Sequence, residues 1–194
     1  THEAEPVFAP GGKHLFFLSN RDYNLAFSSY EFNYLYHQAT RVYAVQLTES
    51  APVLYPFVSD EVVPAESSDD SNKKSKKEKK DPTAASTPSE LKVDIDLKGF
   101  GDRVIAMPGE AGNYHNLEVN EKFAFVIKTE GDDRSLEMIS LEKRENNNKV
   151  VASEISAYRL SKNGEKVLVR KRDEYAIVEA QADQKFDEGK LDLT

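Results

Sequence analysis

The densest chemical grouping in the sequence is aromatic. Tyr23, Phe27, Tyr30, Phe32, Tyr34, Tyr36 and Tyr43 place seven of the 19 Phe and Tyr residues within 21 positions. Tyr30, Phe32, Tyr34 and Tyr36 alternate, so a strand would set all four on one face. Aromatic rings bury large areas and tyrosine adds a polar tip, which suits a rim that contacts peptides or a face docked on neighbouring domains. The same residues would equally serve an insertion that packs on its own body. Arg21 and Arg41 flank the cluster, and a guanidinium fork fits the carboxylate of a peptide.

Residues for bond-breaking chemistry are scarce. The four histidines, His2, His14, His37 and His115, lie in no HExxH pattern, and no Gly-x-Ser-x-Gly elbow occurs. The absence of cysteine removes thiolate nucleophiles, zinc ribbons and disulfide scaffolds together. Asp132 and Asp133 follow Gly131 and read as a hairpin turn. Asp94 and Asp96 are expected two apart on one strand face, where two oxygen donors fall short of the roughly six to eight that Ca²⁺ takes. His115 reads as part of a turn. The sequence therefore predicts no catalytic residue, no metal site and no cofactor in this chain.

The charge balance narrows the partners. With a net charge of −8 over 194 residues, the chain lacks the excess of Lys and Arg that neutralises phosphates, so nucleic acid is not an expected partner. No apolar run approaches the roughly 18 residues of a membrane-spanning helix, and no membrane insertion is expected. Composition fits a soluble globular chain, with cytoplasm and periplasm both open and homo-oligomers allowed. Residues 73–80 hold six lysines and one glutamate, net +5, which leaves −13 for the remainder. They sit in a stretch over 59–92 rich in Ser, Asp, Glu, Lys and Pro, whose composition predicts a mobile surface loop. An electrostatic tether is the functional alternative to a solvated insertion.

The elements that would position these residues are strands. Runs at His14–Ser19, Arg41–Leu47, Arg103–Met107, Phe123–Thr129, Ser135–Leu141, Val150–Ala152, Lys166–Lys171 and Tyr175–Glu179 are short, rich in β-branched and aromatic residues, and separated by polar turns. Asn24–Gln38 is the one stretch with room for a helical turn. Phe8–Phe17 overlays Leu160–Val169 without a gap, with Gly12 on Gly164 and His14 on Lys166, which makes His14 an expected surface residue. Leu117–Phe125 is a third copy with a tighter turn. The starts at 117 and 160 are 43 residues apart, within the roughly 40–45 of a four-stranded propeller blade. The predicted fold is all-β, a partial β-propeller of about three four-stranded antiparallel blades. Residues 1–58 form one blade with an aromatic insertion at about 22–40, and 93–194 form two more. Three blades do not close a ring, so the sequence reads as a piece of a longer protein with further blades before Thr1.

Particular residues carry a family likeness. Pro6-Val7-Phe8-Ala9-Pro10-Gly11-Gly12-Lys13, then the strand to Ser19 and Arg21, resembles the WD40-like repeat of TolB and of propeller-bearing peptidases. Ala9 and Gly11 depart from its usual Ser and Asp, as Lys162 and Asn163 depart from Pro and Asp in the last copy. Ser19–Asn24, Phe27–Tyr34, Thr40–Val45, Arg103–Pro108 with Ala111–Tyr114, and Glu188–Leu193 look like bacterial homologues of the tricorn protease. The likeness spans nearly the whole chain outside the Lys-rich stretch. It implies the last part of a propeller region ahead of a PDZ domain and a serine peptidase core of the C-terminal-processing type, neither of which is in this chain.

The expected function is therefore a non-catalytic propeller segment that gates or binds peptides for a serine peptidase. Its expected partners are peptide substrates and the other domains of the same polypeptide. A stand-alone TolB-type scaffold is the alternative, with the propeller cap of a prolyl-oligopeptidase-type enzyme a third.

Overall fold

Gly12 and Gly164 hold the same place in two copies of one hairpin. Each has a positive φ, 62° and 69°, where a Cβ would strain the backbone. The surrounding bonds also match. Gly12 N–H donates to Ala9 O at 2.8 Å and Ala9 N–H to His14 O at 3.0 Å, as Gly164 does to Ser161 O and Ser161 to Lys166 O, both at 2.8 Å. The third copy is shortened. Asn120 N–H donates to Phe123 O at 2.9 Å, and the Asn120 side-chain oxygen accepts the N–H groups of Lys122 at 2.9 Å and Phe123 at 2.7 Å. A side chain here substitutes for the glycine.

The computed structural model describes residues 2–22, 25–28, 33–36, 38–56, 93–144 and 148–193, without the side chains of 25–28 and 33–36. In chain order the strands are β1 Glu3–Phe8, β2 His14–Ser19, β3 Leu25–Ser28, β4 Asn33–Tyr36, β5 Arg41–Gln46, β6 Val104–Ala106, β7 Tyr114–Val119, β8 Phe123–Glu130, β9 Asp133–Ser140, β10 Asn148–Ser153, β11 Ala157–Leu160, β12 Lys166–Lys171 and β13 Glu174–Glu179. They form antiparallel sheets in the orders β1-β2-β5-β6, β7-β8-β9-β10 and β11-β12-β13, with β3-β4 a separate hairpin. Single turns of 3₁₀ helix at Gly101–Arg103 and Phe186–Gly189 are the helical elements among the described residues. None of the described helices is long and apolar enough to cross a membrane.

Two expectations change, and one expected strand finds its partner. Within Asn24–Gln38 the described backbone is not helical, since Leu25 pairs with Tyr36 and Phe27 with Tyr34 in a hairpin. The strand read at Arg103–Met107 completes the first sheet, because Val104, Ile105 and Ala106 pair with Val45, Ala44 and Tyr43 of β5. Asp94 and Asp96 lie on no strand; Asp96 instead braces a loop, its N–H donating to Leu47 O at 2.8 Å and its carboxylate accepting from Glu49 N–H at 3.2 Å. The Lys-rich stretch lies outside the described residues.

Two apolar seams join the sheets. Phe16, Leu18, Val42, Ala44 and Met107 of the first sheet side meet Leu117, Ala124, Val126 and Ile139 of the second. Phe125, Ile127, Leu136 and Met138, on the opposite face of the second sheet, meet Val167, Val169, Ala176 and Val178 of the third. Strand alternation makes this possible, since Val126 and Ile127 point to opposite faces and both are buried. Burying each such side chain is worth roughly 1.5–3 kcal/mol. The first strands of successive sheets are also tied by polar bonds. Glu5 on β1 accepts Leu117 N–H at 2.7 Å, and Tyr158 on β11 donates its hydroxyl toward Asn116 O at 2.5 Å and Phe125 O at 2.8 Å. Consecutive antiparallel meanders stacked face to face, with first strands adjacent, make an all-β partial propeller.

The third sheet has three strands. Beyond it Lys190 bridges Ala176, and Leu191 N–H donates to Tyr175 O at 2.8 Å. The approach is close at Gly189, where an added Cβ would sit 2.1 Å from Ile177 O.

Candidate functional site

The arginines that flank the aromatic stretch meet at the base of the β3-β4 hairpin. Arg21 follows β2 directly and Arg41 opens β5, and these strands pair so that Ser19 lies opposite Arg41. The pairing brings the residues on either side of the 22–40 insertion together. Arg21 donates to Ser19 Oγ at 3.2 Å and to Glu3 Oε1 at 2.9 Å, and its guanidinium lies 4.8 Å from the Tyr43 ring centroid and 5.4 Å from that of Phe17. Phe17 and Tyr43 stack with centroids 5.9 Å apart. Arg41 donates through Nε to Met107 O and through Nη1 to Asp22 Oδ2, both at 3.1 Å.

Asp22 joins the two halves. Its other oxygen accepts the Tyr43 hydroxyl at 2.5 Å. Burial alone would raise the Asp22 carboxyl, but the Tyr43 hydroxyl and the Arg41 guanidinium outweigh it and hold the group below its ordinary value. Burial and the Asp22 carboxylate push the Tyr43 phenol up to about 12, so Tyr43 keeps its proton and donates it. Among the described residues the cluster pairs two guanidinium groups with two carboxylates and a phenol that stays protonated.

Of the predicted contact residues, Arg21 and Arg41 are brought together here. Tyr34 and Tyr36 lie on β4 at register positions opposite Phe27 and Leu25, while Tyr30 and Phe32 lie outside the described residues. Sequence reasoning missed Glu3 and Asp22, the counter-ions of the two arginines. Asp22 directly follows Arg21 and precedes an aromatic run, which was the available signal; Glu3 gave none.

His14 and His115 lie on separate strands. His14, expected on the surface, is 7% exposed, and its Nε2 lies 2.8 Å from Pro52 O; burial lowers its basicity, partly offset by that carbonyl. His115, expected in a turn, lies on β7 opposite Ile127, and burial lowers it too. His37 lies outside the described residues. Among the described residues no three His, Cys, Asp or Glu side chains are grouped to hold a metal.

No protein-family model and no curated protein matches the sequence. Among solved structures, the crystal structure of the tricorn protease is similar, with a TM-score of 0.62 at 16% identity over 92% of this chain. The chain corresponds to 16% of that protein's length. The likeness supports the fold, an all-β arrangement of propeller type.

Proposed function

We propose that this chain is a non-catalytic β-propeller segment of a tricorn-like serine peptidase, binding or gating peptides for a proteolytic centre outside it. The observation that carries this reading is the superposition of almost the whole chain on a small part of the tricorn protease. It agrees with a candidate site rich in charged groups. Within that site Arg21 is the group best suited to a peptide carboxylate. Its bond to Glu3 is a partly exposed ion pair, with side chains 34% and 40% exposed, and such pairs are worth only about 0–1 kcal/mol. An incoming carboxylate can displace Glu3 at little cost, whereas Arg41 is held by both Asp22 and a main-chain carbonyl.

The test is a titration of fluorescent peptides that differ in a free or an amidated C-terminus. Peptides with the free carboxylate bind more tightly, and Arg21→Met removes that difference. Equal binding of both forms by the unaltered chain overturns the role of Arg21. No saturable binding of either form contradicts peptide binding by this segment.

A further inference from the structure

At one end of the seam between the first and second sheets the apolar lining gives way to a polar cleft of about 400 Å³, bounded by Gly109, Lys128, Glu137, Arg144 and Asn148. Glu137 on β9 is 8% exposed, although its register neighbours are Val126 and Val150. Such a buried carboxylate needs close donors, and those it has are distant. Asn148 Nδ2 is 3.4 Å from Oε2. Lys128 Nζ is 3.7 Å from Oε1 and is drawn instead to Glu130 at 2.7 Å. Charge-assisted bonds are usually about 2.7–2.9 Å.

A second acceptor in the same cleft has no partner. The side-chain oxygen of Asn148 is buried and accepts no hydrogen bond, a deficit that a donor would relieve. The amide lies over Gly109, whose φ is 111° and where a Cβ would come within 2.7 Å of Nδ2. A side chain at position 109 would therefore displace the Asn148 amide. Two under-supplied acceptors, one anionic, thus lie beside one cleft, and a rotation of the Asn148 amide would bring its buried oxygen to the cleft surface.

The missing complement is a group with several N–H donors and a positive charge. A divalent metal ion fits poorly, since the cleft sets the Glu110 and Glu137 carboxylates and one amide oxygen beside the Lys128 ammonium and the Arg144 guanidinium, where Ca²⁺ would take about six to eight oxygens. We propose that this cleft binds an alkylammonium or guanidinium group, with Glu137 as its counter-ion and the Asn148 side-chain oxygen as its second acceptor. A lysine or arginine side chain or a free amino terminus of a partner carries such a group. The assignment rests on the geometry around Glu137 and not on the peptidase likeness.

The test titrates the protein with n-butylammonium, n-butylguanidinium, tetramethylammonium and acetate while the Asn148 side-chain amide is followed by NMR. The first two shift that signal saturably, with dissociation constants in the range of about a millimolar or weaker for such small ligands. Tetramethylammonium carries the charge without an N–H donor and leaves the signal unmoved, as does acetate. Glu137→Gln weakens binding by about tenfold or more, and Lys128→Met, which removes a competing cation, tightens it. The proposal is overturned if neither N–H donor saturates, if tetramethylammonium binds equally well, or if Glu137→Gln binds like the unaltered protein. The comparison among ligands needs no substituted protein, so it decides the question even if a variant fails to fold.

Discussion

Glu118 accepts the main-chain N–H of Leu160 at 2.7 Å, tying the first strand of the second sheet to the first strand of the third. The same carboxylate accepts from Arg159 at 2.8 Å, but that arginine is 76% exposed and contributes little. The bond to Leu160 satisfies a backbone donor that no strand partner reaches from that side. Apolar contact holds the sheets together, and directional bonds of this kind fix how they are offset.

Glu118→Ala is expected to lower unfolding stability by about 1.5–3 kcal/mol, the usual range for a hydrogen bond to a charged group. Glu118→Gln keeps an acceptor and costs less. Glu5→Ala, whose residue is exposed, falls at or below the low end despite the matching bond to Leu117. Urea denaturation measures all three, and an unchanged midpoint for Glu118→Ala would show that the bond adds nothing.

Tyr158→Phe removes a hydroxyl shared by Asn116 O and Phe125 O while leaving the ring volume intact. The loss leaves buried carbonyl groups without their donor and should cost about 1–3 kcal/mol. Because burial, with a smaller contribution from Glu118, raises the Tyr158 phenol far above its ordinary range, the cost stays constant across neutral and mildly alkaline pH. A cost that vanishes above pH 9 would place the hydroxyl in solvent.

Gly189→Ala puts a methyl group against Ile177 O, and the neighbouring backbone must move away. Hydrogen exchange should then show the Leu191 amide, bonded to Tyr175 O, losing protection while amides of β12 keep theirs. Unchanged protection at Leu191 would mean that the closing segment does not pack on β13.

His14 and Glu137 give opposite pH dependences. Burial lowers His14 below 6.5 in the folded chain, so its contribution is complete above 6.5 and is lost as pH falls through the lowered value. Burial raises Glu137 above 4.5 against the pull of Lys128, so its contribution is complete below 4.5 and is lost as pH rises. Relative to the unaltered protein, His14→Gln therefore gains stability on acidification from pH 7 to 5, and Glu137→Gln gains it on the return. Parallel pH profiles for the unaltered protein and both variants would refute the two assignments.

The legible parts of the fold were those with a local mark. The glycines at 12 and 164 marked matching turns, and the alternation from Lys166 to Lys171 placed β12 over its full length. Val104–Ala106 was legible as a strand, but not its partner β5, because that pairing crosses a long intervening segment. The β3-β4 hairpin carried alternating aromatics without an Asn-Gly or Asp-Gly turn signal, which left a helical turn open. His14 misled because its repeat partner Lys166 is exposed, and the Pro52 carbonyl that receives it lies 38 residues away. The site was half visible. Arg21 and Arg41 could be named from their positions beside the aromatics, but their counter-ions are set by strand register. Glu137 looked like any charged residue on a strand, since its burial beside Lys128 and Asn148 is set by strand pairing and not by its local sequence.

The proposed division of labour, in which this propeller segment would bind peptides and other domains would cleave them, is open to a single assay. The purified chain is incubated with a fluorogenic peptide mixture, with peptide binding and product release measured in the same samples. Saturable binding with no turnover above the uncatalysed rate is the expected result. Turnover that is abolished by substituting a residue of this chain would contradict it.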